Sequence, residues 1–437
     1  MGNSHEEIDI IRRTLRYCEA GTTHMESGLL RNPVSHYANA QRLAQEQAIL
    51  FREFPIVVGH VSQLAYAGDF FIHDETGVPM LVTRTLQGAV MAFMNVCRHR
   101  GARIVTEAGG NATTFSCPYH AWTYDLEGRL RGLRQPAGFA DLDKSEYGLV
   151  ELPAFERYGL IWVRPSVSEV PISIDAWLAP MAEQLASVDM ASLVVHKAWS
   201  VELNMGWRIA LEGFQESYHF CSAHKQTACS AYLDNQSVFV DHYPHFRHAV
   251  PLAQTVELQQ QPEADWDYRA NYMDQNYLFP CNFVQVMTDH VFIHSVIPTG
   301  PGKSVFKCIM LVPDDVDLSA EQRAKKTRYW EANYNVVCAV FGEDFVIGEG
   351  IQQGLSTGVN EHFVIGQYEA GIQLAEKAIG DALDERLVCP QTLTLSECIR
   401  RLGLWMRCAL RFTESARAFS AARRWFLPTA KTHQILC

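Results

Sequence analysis

Within residues 97–120, CRHRGARIVTEAGGNATTFSCPYH, two short loops each hold one cysteine and one histidine: Cys97-x-His99 and, after seventeen residues, Cys117-x2-His120. Zinc fingers hold like ligands in tight pairs, two cysteines from one loop and two histidines from another. Here each loop gives one of each. That pairing suits a two-iron cluster in which both loops reach across both metals, with Cys97 and Cys117 on one iron and His99 and His120 on the other. Gly101 and Pro118 are turn formers beside these ligands, and small residues let backbone N–H groups approach sulfide and thiolate. The motif predicts a 2Fe–2S site, whose chemistry is one-electron transfer.

Electrons held there need a destination, and WRIALEGFQESYHFCSAH supplies Glu212, Glu216, His219 and His224. Two histidines with a carboxylate from elsewhere would make the 2-His-1-carboxylate set that leaves positions open on Fe(II) for O2. An H-x4-H pair alone is more often satisfied by solvent or core, so the spacing by itself carries little. Downstream, FGEDFVIGEGIQQGLSTG offers three carboxylates: Glu343, Asp344 and Glu349.

CRHRGA…CPYHAWTYDLEGRL resembles the cluster motif of the Rieske non-haem iron oxygenases, in their catalytic α subunits. It does not resemble the Rieske protein of respiratory bc complexes, which carries two further cysteines at positions that are Ala102 and Tyr119 here, and a membrane anchor. The resemblance covers residues 40–380 and implies the ligand set of a mononuclear iron. His219 and His224 match the family's E-x3-(D/E)-x2-H-x4-H stretch, which follows an N-x2-W strand end, here Asn204 to Trp207. Asp344 matches the third ligand, eight residues before the Gln352 that opens QQGLS. Glu343 would then be a helix-surface charge and Glu349 a structural partner. Glu216 matches the carboxylate that, in trimers of this family, bridges one subunit's cluster to its neighbour's iron. His120 would be the cluster histidine facing it, with Tyr218 close by. The implied cofactors are a Rieske 2Fe–2S cluster, a mononuclear non-haem Fe(II) and O2. NAD(P)H would act through a partner ferredoxin or flavin reductase, since the chain shows neither a Rossmann glycine fingerprint nor a further four-cysteine ferredoxin spacing. A homotrimer is implied, and a β subunit is left open.

Two positions depart from the naphthalene-dioxygenase-like pattern. Gly213 stands where those members have Asn, and Glu216 stands at a bridge they make with Asp. Glu at the bridge is common in oxygenases of carnitine and glycine betaine. The expected activity is mono- or dioxygenation of an aromatic or other apolar small molecule. Hydroxylation and N-dealkylation of a quaternary ammonium compound is the alternative, and an electron-transfer protein with a vestigial iron site is the third reading.

The elements that must position these residues follow from periodicity. Helical spacing covers 5–20 and 40–52. From Pro55 to Pro165, short β-branched and aromatic runs alternate with Gly, Asp and Asn, as in an antiparallel β-domain. WSVELNMGW reads as a strand leading into an amphipathic helix that runs through His224. Residues 283–313 alternate like a hairpin turning at PTGPGK, and a helix is expected from Ala320 to Phe345. The fold class is α+β: a small antiparallel β Rieske domain at 55–165 and a helix-on-antiparallel-sheet, helix-grip-like catalytic domain at 166–383. A helical arm (1–54) precedes them and a helical extension (384–437) follows. That extension has nine Lys/Arg against four Asp/Glu, against the trend of the chain, and is expected to be solvated helices at a subunit edge, with a docking surface for an acidic partner as the alternative. His290 and His294 lie four apart on an expected strand and read as a hydrogen-bonded structural pair, with the lining of a substrate cavity as the alternative. His242, His245 and His248 in DHYPHFRH read as a mobile loop near the cavity mouth. Trp199, Tyr232, Phe239, Tyr243, Phe246, Phe283 and Phe292 are core or apolar pocket.

The composition is that of a globular chain: 48% hydrophobic, 20% charged, net charge −12. No basic run suggests a nucleic-acid partner and no apolar run could span a bilayer. The first residues are too polar for a secretory signal, and Glu6 sits where an acylation signal needs Ser or Thr. Twelve scattered cysteines then suggest a reduced cytoplasm, with Cys221, Cys229, Cys281, Cys308 and Cys338 as core filler.

Overall fold

The computed structural model describes residues 3–167, 171–315 and 318–391. The basic C-terminal stretch therefore lies almost wholly outside the described residues.

Ser4 and Glu7 cap each other at the start of a helix, His5–Ala20, which Gly21 ends at φ 60°. Its Ile10, Ile11 and Leu15 are buried against Val238, Ala249 and Tyr272. A second helix, Ala40–Glu53, starts on the Asn39 side chain, which accepts from the N–H groups of Gln41 and Arg42. The chain then forms three small antiparallel sheets between Ile56 and Val163. Short alternating runs bounded by Gly turns make small sheets; a core of Phe70, Leu81, Phe93, Phe115, Trp122 and Leu130 fills one side, while the sheet of Ile56–His60 and Leu160–Val163 packs into the large core of the catalytic part. Cys97 and Cys117 are part of that core.

A seven-stranded antiparallel sheet follows. Its strands are β1 (Leu193–Leu203), β2 (Val238–His242), β3 (His245–Pro251), β4 (Tyr272–Leu278), β5 (Asn282–Val286), β6 (Val291–Gly300) and β7 (Lys303–Pro313). The spatial order is β1-β7-β6-β5-β4-β3-β2, a meander whose first strand returns to pair with its last. A 36-residue helix, Ala320–Leu355, is capped by Ser319 and Gln322, and a helix from Ala370 to Leu383 completes the described part. Among the described residues no helix is long and apolar enough to cross a membrane.

The structure corrects four local expectations. The amphipathic helix expected through His224 is two short helices, Trp207–Glu212 and Phe220–Ala223, broken from Gly213 onward. The break lies before His219, and His219 and His224 flank the single turn Phe220–Ala223 that follows it. DHYPHFRH is no loop: Val238–His242 and His245–Pro251 pair directly, with His245 and His248 buried. Residues 283–286 belong to β5, so the hairpin turning at Gly302 is only β6–β7. Cys221 and Cys229 form a disulfide instead of filling core, and Cys338 is half-buried, whereas Cys281 and Cys308 are fully buried.

One buried cation ties the arm to the catalytic part. Arg208 Nη1 donates to Glu46 Oε1 at 2.7 Å, and its other terminal nitrogen pairs with Glu376. Glu46 also accepts from Trp207 Nε1 at 2.9 Å. Arg208→Met would take the cation from Glu376 and leave Glu46 with Arg42 and Trp207 alone, and chemical denaturation is expected to show a loss of about 3 kcal/mol. A loss below about 1 kcal/mol, typical of surface substitutions, would contradict this role.

Candidate metal centres

The loops around Cys97 and Cys117 repeat one conformation. Cys97 N–H donates to Ala102 O and Cys97 O accepts from Gly101 N–H, at 2.8 and 2.9 Å. Cys117 N–H donates to Trp122 O and Cys117 O accepts from Ala121 N–H, also at 2.8 and 2.9 Å. Gly101 (φ 76°) and Ala121 (φ 56°) occupy the same left-handed position in each. Only in the first loop is that position glycine. A non-glycine residue there costs of order 1 kcal/mol and marks a backbone held by its surroundings. Both cysteines are 2% exposed, whereas the histidines are half-exposed. His99 stacks on Trp122 with centroids 4.8 Å apart. His99 Nδ1 and His120 Nδ1 lie 3.1 Å apart. Two imidazole nitrogens so close need a proton or a metal between them, so this donor set fits a histidine-held iron outside and a cysteine-held iron inside. Tyr124 Oη accepts from Arg98 N–H at 3.1 Å and lies 3.5 Å from Cys97 Sγ, so its own proton is available to the sulfur. Such a donor raises a cluster's potential.

The second group comes from two distant segments. His219 precedes the single turn Phe220–Ala223 and His224 ends it, so both rings fall on one side with centroids 5.1 Å apart. Asp344, on the long helix, places Oδ1 3.0 Å from His224 Nε2 and 3.6 Å from His219 Nε2. Among the described residues, these three are the one group of His, Cys or carboxylate side chains placed to hold a single ion. His219 Nε2 is buried without a hydrogen-bond partner, as an atom awaiting a metal would be. The other ring nitrogens are held by carboxylates. His219 Nδ1 bonds Glu216 Oε1, and His224 Nδ1 lies 2.8 Å from Glu343 Oε2. Glu216 also accepts from His219 N–H at 3.1 Å, and Glu343 from Thr227 Oγ1 at 2.7 Å. Carboxylates behind histidines fix ring orientation and raise basicity.

Two cavities meet here, both lined by Gly213, His219 and Asp344. The larger, about 370 Å³, has Glu212, Glu216 and Glu369 in its wall. Glu212 is pushed up to about 8 by burial and by Glu376, and accepts from Tyr37 Oη at 2.6 Å. The smaller, about 150 Å³, lies between the long helix and the sheet and is lined by Phe220, Tyr232, Met273, Met287, His290 and Phe341 among others.

The eight sequence-expected site residues thus form two groups: Cys97, His99, Cys117 and His120 in one, and Glu216, His219, His224 and Asp344 in the other. Glu216 is buried and off any helix. Glu349 is a structural partner, its Oε1 accepting from Asn204 N–H at 3.1 Å. Glu343 is not a bare helix-surface charge, since it grips His224; the adjacent acidic pair Glu343-Asp344 was the signal for that. Of the aromatic set, Tyr232 lines the small cavity, while Phe239, Phe246, Phe283 and Phe292 are core. The two histidines expected on one strand divide, because His290 precedes β6 and only His294 lies on it. His294 is buried between Gln285 Oε1 and Cys308 Sγ, and His290 lines the small cavity.

In protein stripped of metal, burial lowers the pKa of His219 and His224, but the carboxylates outweigh it and both end raised. Their protonated forms stabilise the metal-free fold below about pH 6.5, and that contribution is lost as pH rises through the raised values. Fe(II) must displace the same protons, so its uptake tightens over the same window. Chelator-treated protein is expected to lose melting temperature as pH rises above about 6.5 relative to a His224→Leu variant, while Fe(II) affinity rises. The opposite trends would contradict the coupling.

Residues 54–151 match the family model of the Rieske [2Fe-2S] domain, and residues 190–385 match that of the ring hydroxylating alpha subunit, catalytic domain. The glycine betaine monooxygenase oxygenase subunit of Chromohalobacter salexigens is 32% identical over 194 residues, 44% of this chain and 43% of that one. The carnitine monooxygenase oxygenase subunit of Acinetobacter baumannii is 28% identical over 218 residues, 49% of this chain and 56% of that one. The chain thus matches about half the length of these relatives. Among solved structures, a quaternary ammonium Rieske monooxygenase in complex with L-carnitine superposes with TM-score 0.67 at 21% identity, covering 80% of this chain and 95% of that one. Naphthalene 1,2-dioxygenase from Rhodococcus sp. bound to indole gives 0.67 at 16% identity, covering 88% of this chain and 100% of that one, so these two share the fold. With a Rieske domain followed by a ring-hydroxylating catalytic domain, the chain belongs to the Rieske non-haem iron oxygenases, as an α subunit.

Proposed function

We propose that this chain is the oxygenase component of a Rieske-type monooxygenase. Cys97, Cys117, His99 and His120 would hold the cluster, and His219, His224 and Asp344 the mononuclear iron. When bound, the cluster supplies one-electron transfer and the Fe(II) supplies O2 activation. The observation that carries this reading is the convergence of three ligand atoms, two of them on histidines gripped from behind by carboxylates.

The residues divide the remaining work. Glu216 orients His219 and, in a homotrimer, would meet His120 of a neighbouring subunit. Electrons would come from NAD(P)H through a partner ferredoxin or flavin reductase. The small cavity holds the substrate, its thioether and aromatic lining excluding water and suiting an apolar molecule. The names of the relatives above, and of an N,N-dimethyl phenylurea N-demethylase α subunit that is 29% identical over 227 residues, share substrates with N-methyl groups. The reaction assigned is therefore hydroxylation of a methyl carbon on nitrogen. It consumes O2, two electrons and two protons and releases one water. The hydroxymethyl amine then breaks its C–N bond to give formaldehyde and the demethylated nitrogen. A quaternary ammonium substrate is the second reading, favoured by the rings of Phe220, Tyr232 and Phe341, which suit cation–π contact.

Anaerobic, reduced protein treated with nitric oxide is expected to give a high-spin iron–nitrosyl EPR signal beside that of the reduced cluster. Asp344→Ala should abolish the nitrosyl and keep the cluster signal. Glu216→Gln should keep both and lose about tenfold or more in turnover. A fully iron-loaded protein without the nitrosyl would overturn the oxygenase reading.

A further inference from the structure

One ring nitrogen in the small cavity, His290 Nε2, is buried without a hydrogen-bond partner. His290 sits in the turn between β5 and β6, where Met287 N–H donates to His290 O at 2.9 Å. Its Nδ1 lies 2.7 Å from Asp289 Oδ1. Asp289 Oδ2 is itself held by Tyr329 Oη at 2.9 Å, so the carboxylate is fixed to the long helix. A carboxylate on Nδ1 places the ring proton there and leaves a lone pair on Nε2. Burial lowers the pKa of His290, which keeps the ring neutral despite Asp289. Nε2 is buried, has no hydrogen-bond partner, and belongs to a residue 3% exposed that lines the cavity.

The cavity's other polar groups set its character. Gln285 is spoken for: its oxygen bonds His294 Nε2 at 2.8 Å, and its nitrogen lies 3.0 Å from Met273 Sδ. Gln275, its cross-strand neighbour, is 6% exposed and its Oε1 has no partner. A buried acceptor without a donor costs about 1–3 kcal/mol, a cost that an incoming donor relieves. Among the described residues no Lys or Arg lines this cavity.

We propose that the Asp289–His290 pair, with the Gln275 amide, forms the polar end of the substrate cavity and selects neutral molecules with an N–H or O–H donor beside their apolar, methylated part. This rests on the small cavity being the substrate site of the oxygenase proposed above, and it narrows that substrate class against permanently charged quaternary amines. Asp289 and His290 are positioning residues here, because they hold the substrate's donor end and leave its methyl group toward the iron ligands.

The test compares N-methylbenzamide with N,N-dimethylbenzamide, which differ by one N–H, using calorimetric titration of the full iron-loaded chain. Wild type is expected to bind the N–H amide about three- to tenfold more tightly, the worth of one hydrogen bond. His290→Leu should bring the ratio close to one without changing iron content. Equal affinities in wild type would overturn the proposal, whatever the variant does. So would an unchanged ratio in a folded His290→Leu protein. The same samples treated with nitric oxide separate the two readings. A missing nitrosyl signal removes the iron assignment, while the calorimetric ratio still decides the role of His290.

Discussion

His224 is clamped from both ring nitrogens by two carboxylates that are neighbours in the chain, Glu343 on Nδ1 at 2.8 Å and Asp344 on Nε2 at 3.0 Å. Consecutive residues on a helix point about 100° apart, which is what lets one helix reach both sides of one ring. The second metal site therefore depends on the rotation of the long helix. Two anchors downstream set it: Glu349 accepts from Asn204 N–H at 3.1 Å and Gln352 accepts from Gly206 N–H at 2.8 Å. These join the helix to the end of β1, directly before the segment that carries His219 and His224. A one-residue slip would swing both carboxylates away and undo both anchors together.

Rigid and irregular parts are divided accordingly. Trp207–Leu211 is wholly buried, and Arg208 ties it to the helices at Ala40–Glu53 and Ala370–Leu383. The next residues, from Gly213 to His219, leave helical geometry, and the single turn Phe220–Ala223 then brings His219 and His224 to one point. Gly371 packs so closely on Gln215 O that a Cβ there would collide with it, which seats this irregular segment against the last helix. Beyond the shared Asp344 and His219, the larger cavity adds Glu212, Glu216 and Glu369, whereas the smaller adds Met273, Met287 and aromatic rings.

What the sequence made legible followed from distance along the chain. The cluster motif is local, with its four ligands inside twenty-four residues and its turn formers beside them, and the structure closes those loops as expected. Asp344 lies more than a hundred residues from His224, and neither spacing nor composition separated it from Glu343 and Glu349; the family resemblance did. Glu343 was misread because a helix-surface position says nothing of what packs on it. DHYPHFRH was misread because its Tyr243-Pro244 turn outweighed the alternation in VFVDH and HFRHAV that builds β2 and β3. The Cys221–Cys229 bridge encloses His224, and seven intervening residues give no periodic signal for it.

One long helix delivers Asp344 to two histidines that flank a single helical turn, and the three are placed to hold a single iron. Anomalous diffraction at the iron edge from crystals of the iron-loaded full chain tests it most directly. One iron is expected within bonding distance of His219 Nε2, His224 Nε2 and Asp344, separate from an iron pair between the Cys97 and Cys117 loops. An iron-loaded protein with the pair present and no iron density between His219, His224 and Asp344 would contradict it.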